Sequence, residues 1–421
     1  MTITKYNVER DVDVIYFNNL SSPKTISDFI KCIKAGIRDG EKDFTLDFGK
    51  VNSVFPNTAT PLAGLIDYYV DKHGVSFDFD KYGSVNATKL LSPLELPKNQ
   101  NELSRSLGKV WKFSSSDEID EIHKAMISEL RKTVRFGEGV LEGIEWSIYE
   151  IMDNVLLHSE YSCGYIMGQL HPTSKHVAFT IYDTGQGIYN SLKNSPHRPR
   201  TAVDALTMCV KEGVTRDKKL GQGNGMTGLF NLIQEGNGSI CITSGNGYFR
   251  HSNGEPSTNN MLPYPSNMNQ CTTVDFQLDY SNNISLDKVL TFQGKTFPFT
   301  NLHIESLEDD RGDLVYKLSE QAEGTGTRES AIRVKNEIVN LFNQSKKNIV
   351  LDFDGISISS SSFADELIAK LIIELGLFQF NNIIKLKNMN VSQQQILQRS
   401  VIQRLIEEYS KPTVSKKETK K

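Results

Sequence analysis

The sequence predicts an α/β protein in three parts: a central domain over residues 115–280 set between small α/β modules at 1–100 and 290–408. Two observations lead there. The first is an internal echo. Residues 24–48 read KTISDFIKCIKAGIRDGEKDFTLDF and residues 327–353 read TRESAIRVKNEIVNLFNQSKKNIVLDF, each an amphipathic helix, a charged turn and a strand ending Leu-Asp-Phe. In both copies a polar loop, an apolar helix (TPLAGLIDYYV at 60–70, FADELIAKLIIELG at 363–376) and a short strand (75–79, 382–387) follow. Helices alternating with short apolar strands argue for parallel or mixed α/β layers. The second observation is that residues 115–280 keep a different order: helices, a strand, glycine loops, then late strands at 238–244 and 272–278. A chain of 421 residues is also too long for one ordinary core. Residues 246–270, rich in Asn, Ser, Pro and Gly, read as a loop, and 409–421 read as a disordered basic tail.

Composition narrows the function classes. With 38% hydrophobic and 23% charged residues and a net charge of −4, the chain has no general electrostatic attraction for nucleic acid or an anionic membrane. Its five cysteines are scattered and never form C-x-x-C, which argues against a disulfide framework and a zinc site. No apolar run approaches membrane-spanning length, and the N-terminus lacks a secretory pattern. A cytoplasmic location is expected.

The central domain carries the chemistry. Glu150, Asn154 and His158 recur every four residues in an otherwise apolar helix and so form one polar stripe. Such a stripe either faces solvent on a plain amphipathic helix or faces a ligand. About thirty residues on, the apolar run VAFTIYD ends at Asp183, followed by Gly185 and Gly187. This is either a tight turn or a strand end whose carboxylate accepts a hydrogen bond from an exocyclic amine such as adenine's. Third comes a loop with Gly221, Gly223, Gly225 and Gly228 that leads into the apolar helix LFNLI. Backbone N–H groups at such a helix start suit phosphate. The same loop spells G-x-G-x-x-G, but VTRDKKL precedes it and residues 240–252 hold no acid, so a dinucleotide-binding unit is disfavoured.

In that order over about eighty residues, ExxxNxxxH, DxGxG and GxGxxGL resemble the ATP-binding boxes of the GHKL superfamily, which joins gyrase, a heat-shock chaperone, histidine kinases and MutL. The Glu-Asn-His form is most similar to the anti-sigma-factor serine kinases and related regulatory ATPases. The resemblance implies a Bergerat-type α+β sandwich that binds ATP and Mg²⁺. It makes Glu150 the catalytic base and Asn154 the Mg²⁺ ligand, brings His158 to a phosphate, and has Asp183 read adenine. Gly185, Gly187, Gly221, Gly223, Gly225, Gly228 and Thr273 would shape the pocket. Residues 189–220, with Lys193, His197, Arg198, Arg200, Lys211, Arg216, Lys218 and Lys219, would be the ATP lid. The late strand opens Cys271-Thr272-Thr273 where the family commonly has Gly-Thr, which leaves the wall of the adenine pocket open.

Residues 348–376 resemble the strand, loop and helix of STAS-like modules, and the N-terminal module is read as a weaker copy. By that resemblance Ser361 and Ser362 are candidate phosphoacceptors, whereas Ser362 with Asp365 also reads as a helix cap. Phe55-Pro-Asn-Thr58 at the N-terminal copy offers no serine. The expectation is therefore an ATP·Mg-binding regulatory protein, a slow ATPase that switches contacts with protein partners through its STAS-like modules, with a homodimer as one arrangement. The alternatives are a serine protein kinase acting on a STAS-like module and a non-catalytic adaptor.

Overall fold

The computed structural model describes residues 6–158, 163–215, 223–259, 271–297, 301–357 and 359–410. It forms two compact units: Met1–Glu129 with Gly137–Phe299, and Leu130–Phe136 with Thr300–Lys421.

The first unit opens with β1 (Val8–Asp11), β2 (Val14–Phe17), α1 (Lys24–Asp39), β3 (Asp43–Asp47), α2 (Pro56–His73) and β4 (Ser76–Asp80). The sheet runs β1-β2-β3-β4, with β2, β3 and β4 parallel and β1 antiparallel at the edge. Helix α1 buries Ile26, Phe29, Ile30 and Ile33, one face of a 3.6-residue period. It stops at Gly40, whose φ of 99° lets its N–H reach back to the carbonyls of Gly36 and Ile37. Helix α2 differs: Thr58 to Ile66 are all buried, so it is covered on more than one side.

The second layer explains that burial. Next come β5 (Trp111–Phe113), α3 (Ser116–Thr133), α4 (Val140–His158), β6 (Gly164–His171), β7 (His176–Asp183), α5 (Gly187–Leu192), α6 (Ala202–Cys209) and α7 (Gly225–Glu235). The strands β8 (Ser239–Ser244), β9 (Gly247–Ser252), β10 (Glu255–Asn259) and β11 (Thr272–Asp279) follow. These strands build an antiparallel seven-stranded sheet, β10-β9-β8-β11-β7-β6-β5. Helices α4 and α7 pack on one face, and α2 packs on the other against β6 and β7. A Cβ on Gly64 of α2 would stand 2.4 Å from Tyr182 Cε1, so glycine is what lets the helix lie flat there. Tyr165, Met167, Tyr182 and Cys271 of this sheet share one core with the N-terminal strands and helices. Tyr165 also donates its hydroxyl to Asp67 of α2 at 2.6 Å.

Residues 247–259 correct the expectation of a loop: β9 and β10 form a hairpin closed by Asn253 and Gly254, both with positive φ. The turn matches the right-handed twist of its strands. Every β10 residue is exposed, as suits a polar edge strand, which is why the segment has a loop-like composition. Residues 260–270 lie outside the described set. The unit ends with α8 (Leu286–Val289) and a short hairpin of β12 (Thr291–Phe292) and β13 (Lys295–Thr296).

Close approach of α4 and α7 rests on glycines. A Cβ on Gly228 would fall 2.1 Å from Trp146 Cζ3, and one on Gly143 would fall 2.5 Å from Leu232 Cδ1. Gly228→Ala is therefore expected to destabilise this unit by about 1–3 kcal/mol through overpacking, measured as a lower urea midpoint. An unchanged midpoint would mean that the indole moves aside freely.

The second unit contains α9 (Leu302–Leu307), β14 (Leu314–Lys317), α10 (Leu318–Gln321), α11 (Arg328–Ser345) and β15 (Ile349–Asp352). Helix α12 (Ser361–Ala364) then runs through a π turn at Asp365–Ala369 into α13 (Lys370–Leu375). After it come α14 (Leu377–Ile383), β16 (Ile384–Lys387) and α15 (Val391–Tyr409). Its strands are parallel in the order β14-β15-β16. The echo in the sequence thus corresponds to one topology used twice, strand-helix-strand-helix-strand with all three strands parallel. Residues 411–421, most of the expected tail, lie outside the described residues.

Candidate functional site

Helix α4 is apolar where it meets the sheet and polar where it does not. Ile144, Ile148, Ile151, Met152 and Val155 are buried, whereas Glu150, Asp153 and Asn154 are half-buried. Strand β7 is buried from Val177 to its last residue, Asp183, which is only 7% exposed. Asp183 pairs in register with Gly164 on β6 and Thr272 on β11.

Between α4, the end of β7 and the start of α7 lies a cavity of about 340 Å³, within the range of small-molecule sites. Glu150, Asn154, Asp183, Gly187, Gly223 and Gly225 all line it. A Cβ on Gly225 would stand 2.8 Å from Glu150 Oε2 and 3.1 Å from Asn154 Nδ2, so the start of α7 sits directly against the polar stripe. Gly223, just before it, has a φ of 73° and backs onto the Val214 backbone, a place only glycine fits.

The carboxylates here share one electrostatic character. Burial pushes Asp183 up to about 7, although hydrogen bonds from the Gly185 N–H (2.7 Å) and the Thr272 side chain favour its charged form. Thr272 in turn lies 3.2 Å from Ser244 Oγ, which accepts from the Ile188 N–H at 2.8 Å. Glu150 is raised by burial and then by the neighbouring Asp153, and Asp153 is raised by its own burial. Among the described residues the cavity lining holds three carboxylates and no Lys or Arg.

Other sequence-predicted residues fall elsewhere. Gly185 is buried and serves Asp183 through its N–H. Gly228 packs under Trp146. Thr273 is 1% exposed and absent from the lining; Thr272 takes the cavity position, because successive strand residues face opposite sides. His158 ends α4, but its side chain lies outside the described set, as do Gly221, Arg216, Lys218 and Lys219. In the expected lid, α5 and α6 are regular helices, and Thr201 caps α6 with a reciprocal Asp204 bond. Lys193, Arg198, Arg200 and Lys211 are exposed there and His197 is half-buried; none of them lines the cavity. Asp153, Thr272, Trp146, Phe292 and Phe297 line it without having been singled out in the sequence. Asp153 was within reach of the sequence, being three residues from Glu150 on one helix face.

In the second unit the serine loop is resolved in its roles. Ser360 caps the helix, accepting from the Phe363 N–H at 3.0 Å, so the cap lies two residues before Ser362. Ser361 is exposed in the first helical turn, and Ser362 shares a 2.9 Å hydrogen bond with Ser360. Asp365 is engaged elsewhere, in a two-pronged pair with Arg404 at 2.6 Å on each prong.

Residues 330–394 match the family model of a STAS-like domain of unknown function (DUF4325). The C-terminal segment is STAS-like. The matched stretch runs from α11 into α15 and includes Ser361 and Ser362, whereas the cavity of the first unit lies wholly outside it. The STAS-like domain is a module of a kind that often mediates protein contacts. No curated protein matches the chain. Among the described residues no helix is long and apolar enough to cross a membrane.

Proposed function

We propose that the cavity of the first unit binds ATP with Mg²⁺, and that the protein is a slow ATPase that switches protein contacts made through its STAS-like domain. The observation that carries this reading is the convergence on one cavity of Glu150, Asn154, Asp183, Gly187, Gly223 and Gly225, drawn from three separate stretches of sequence. The residues suit the ligand. Asp183, held by Gly185 and Thr272, presents an acceptor for an exocyclic amine. Glycine at the start of α7 carries no side chain to stand between the N–H groups of that helix start and a phosphate.

Asn154 supplies a neutral oxygen, a suitable ligand for Mg²⁺ beside phosphate oxygens. When bound, the ion would supply positive charge among the three lining carboxylates and polarise the phosphates. Glu150, at the same turn as Gly225, is placed to take a proton from an attacking water. This reading takes the central domain as Bergerat-type.

One observation favours the second reading, a serine kinase: Ser361 is exposed at the helix start of a STAS-like domain. ATP labelled at its γ-phosphate separates the two. The expected result is free phosphate from the wild-type chain, and Mg²⁺-dependent ATP binding that Asn154→Ala weakens at least tenfold. Label on Ser361 or Ser362 would establish the kinase instead, and equal binding by the variant would overturn the site.

A further inference from the structure

We propose that residues 286–297 form a strap that closes on the filled cavity, a regulatory element that rests on the nucleotide reading above. The cavity has a direction. Its Asp183 end lies beside Val155, since a Cβ on Gly164, the register partner of Asp183, would be 2.9 Å from Val155 Cγ1. Trp146 lies two and a half turns earlier on α4, about 13 Å away along the axis. Glu150 and Gly225 sit between. At the Trp146 end the wall of the cavity belongs to the strap.

Phe292 stacks on Trp146 at 6.0 Å between ring centres and is 6% exposed. Phe297 also lines the cavity yet stays 41% exposed, a large apolar side chain only half seated. The root of the strap is fixed, with Val289 and Leu290 buried and the Val289 carbonyl accepting from Asn231 Nδ2 at 3.2 Å, so the part that moves is its tip, 293–297. Its strands are two residues each, joined by Gln293 and Gly294 in positive φ, and the Phe297 N–H bonds to the Leu290 carbonyl at 2.7 Å. The tip is tied to the segment after α6: the Gln293 N–H donates to Glu212 at 3.2 Å, two residues before Val214, which lines the cavity. A ligand that draws Val214 and Thr215 inward thus draws the strap with them and seats Phe297.

Hydrogen exchange on the full chain, with and without adenylyl imidodiphosphate and Mg²⁺, tests the strap, with calorimetric titration of the same ligand alongside. Binding with amides 286–297 exchanging at least fivefold more slowly supports it. Phe297→Ala, whose exposed side chain spares the core, is expected to weaken that binding about tenfold and to remove the slowing. Binding with unchanged exchange in 286–297 overturns the strap and leaves the nucleotide site standing. Absence of binding overturns both.

Discussion

Asp183→Asn is expected to make the empty protein more stable at pH 8 while weakening its hold on ATP. Asp183 is 7% exposed, and burial raises it to about 7. An unfolded aspartate titrates near ~3.9. The folded value is the higher one, so the folded state holds more protons across that interval. The contribution is then fully present below about pH 4 and is lost as pH rises through about 7. At pH 8 the ionised, buried carboxylate costs the fold up to about 4 kcal/mol. The asparagine oxygen can accept from the Gly185 N–H as Asp183 Oδ1 does, and the amide never ionises. Urea unfolding should show a gain of about 2–4 kcal/mol at pH 8 that shrinks toward zero at pH 4.5. Loss of a charged acceptor should weaken ATP binding by about 10- to 100-fold. A variant less stable than wild type at pH 8, or an offset independent of pH, would show that this carboxylate is not held against its solvation preference.

What the sequence disclosed and what it hid follow from the range of each signal. The stripe of Glu150 and Asn154 and the run into Asp183 are local patterns, readable because helix and strand periods are fixed. Thr272 and Thr273 could not be told apart that way. Only the pairing of Thr272 with Asp183 decides which hydroxyl faces the cavity, and register depends on the partner strand. Phe292 and Phe297 lie beyond the segment that carries the sequence boxes, and nothing local to them says that their hairpin returns to Trp146.

Some signals were present and outweighed. Asn253-Gly254 is a strong hairpin marker inside a segment whose polar composition suggests a loop. In α2, the unbroken apolar and small run from Thr58 to Ile66 is more than a one-sided helix needs, and it marks burial against a second sheet. The repeated strand order at the two ends was legible because helix, turn and strand follow in the same order in both stretches.

Glu150→Gln is expected to separate hydrolysis from binding. In the proposed ATPase the side chain acts on a water, so its loss should lower phosphate release by about 10²- to 10⁴-fold, with ATP·Mg affinity nearly unchanged. The amide fits the same space beside Gly225. The pH dependence gives a second reading of the same group. Burial, and then Asp153, raise Glu150 above the usual carboxylate range, so the active, ionised form accumulates at a higher pH than for an exposed glutamate. The wild-type rate should climb through that raised value and level off above it. Asp153→Asn removes the neighbouring negative charge while keeping the shape, and should move the climb to lower pH without lowering the plateau. Single-turnover phosphate release between pH 5 and 9 measures all three chains. If Glu150→Gln retains the wild-type rate, the base lies elsewhere; if Asp153→Asn lowers the plateau and leaves the climb in place, Asp153 acts on the ligand itself and not through Glu150.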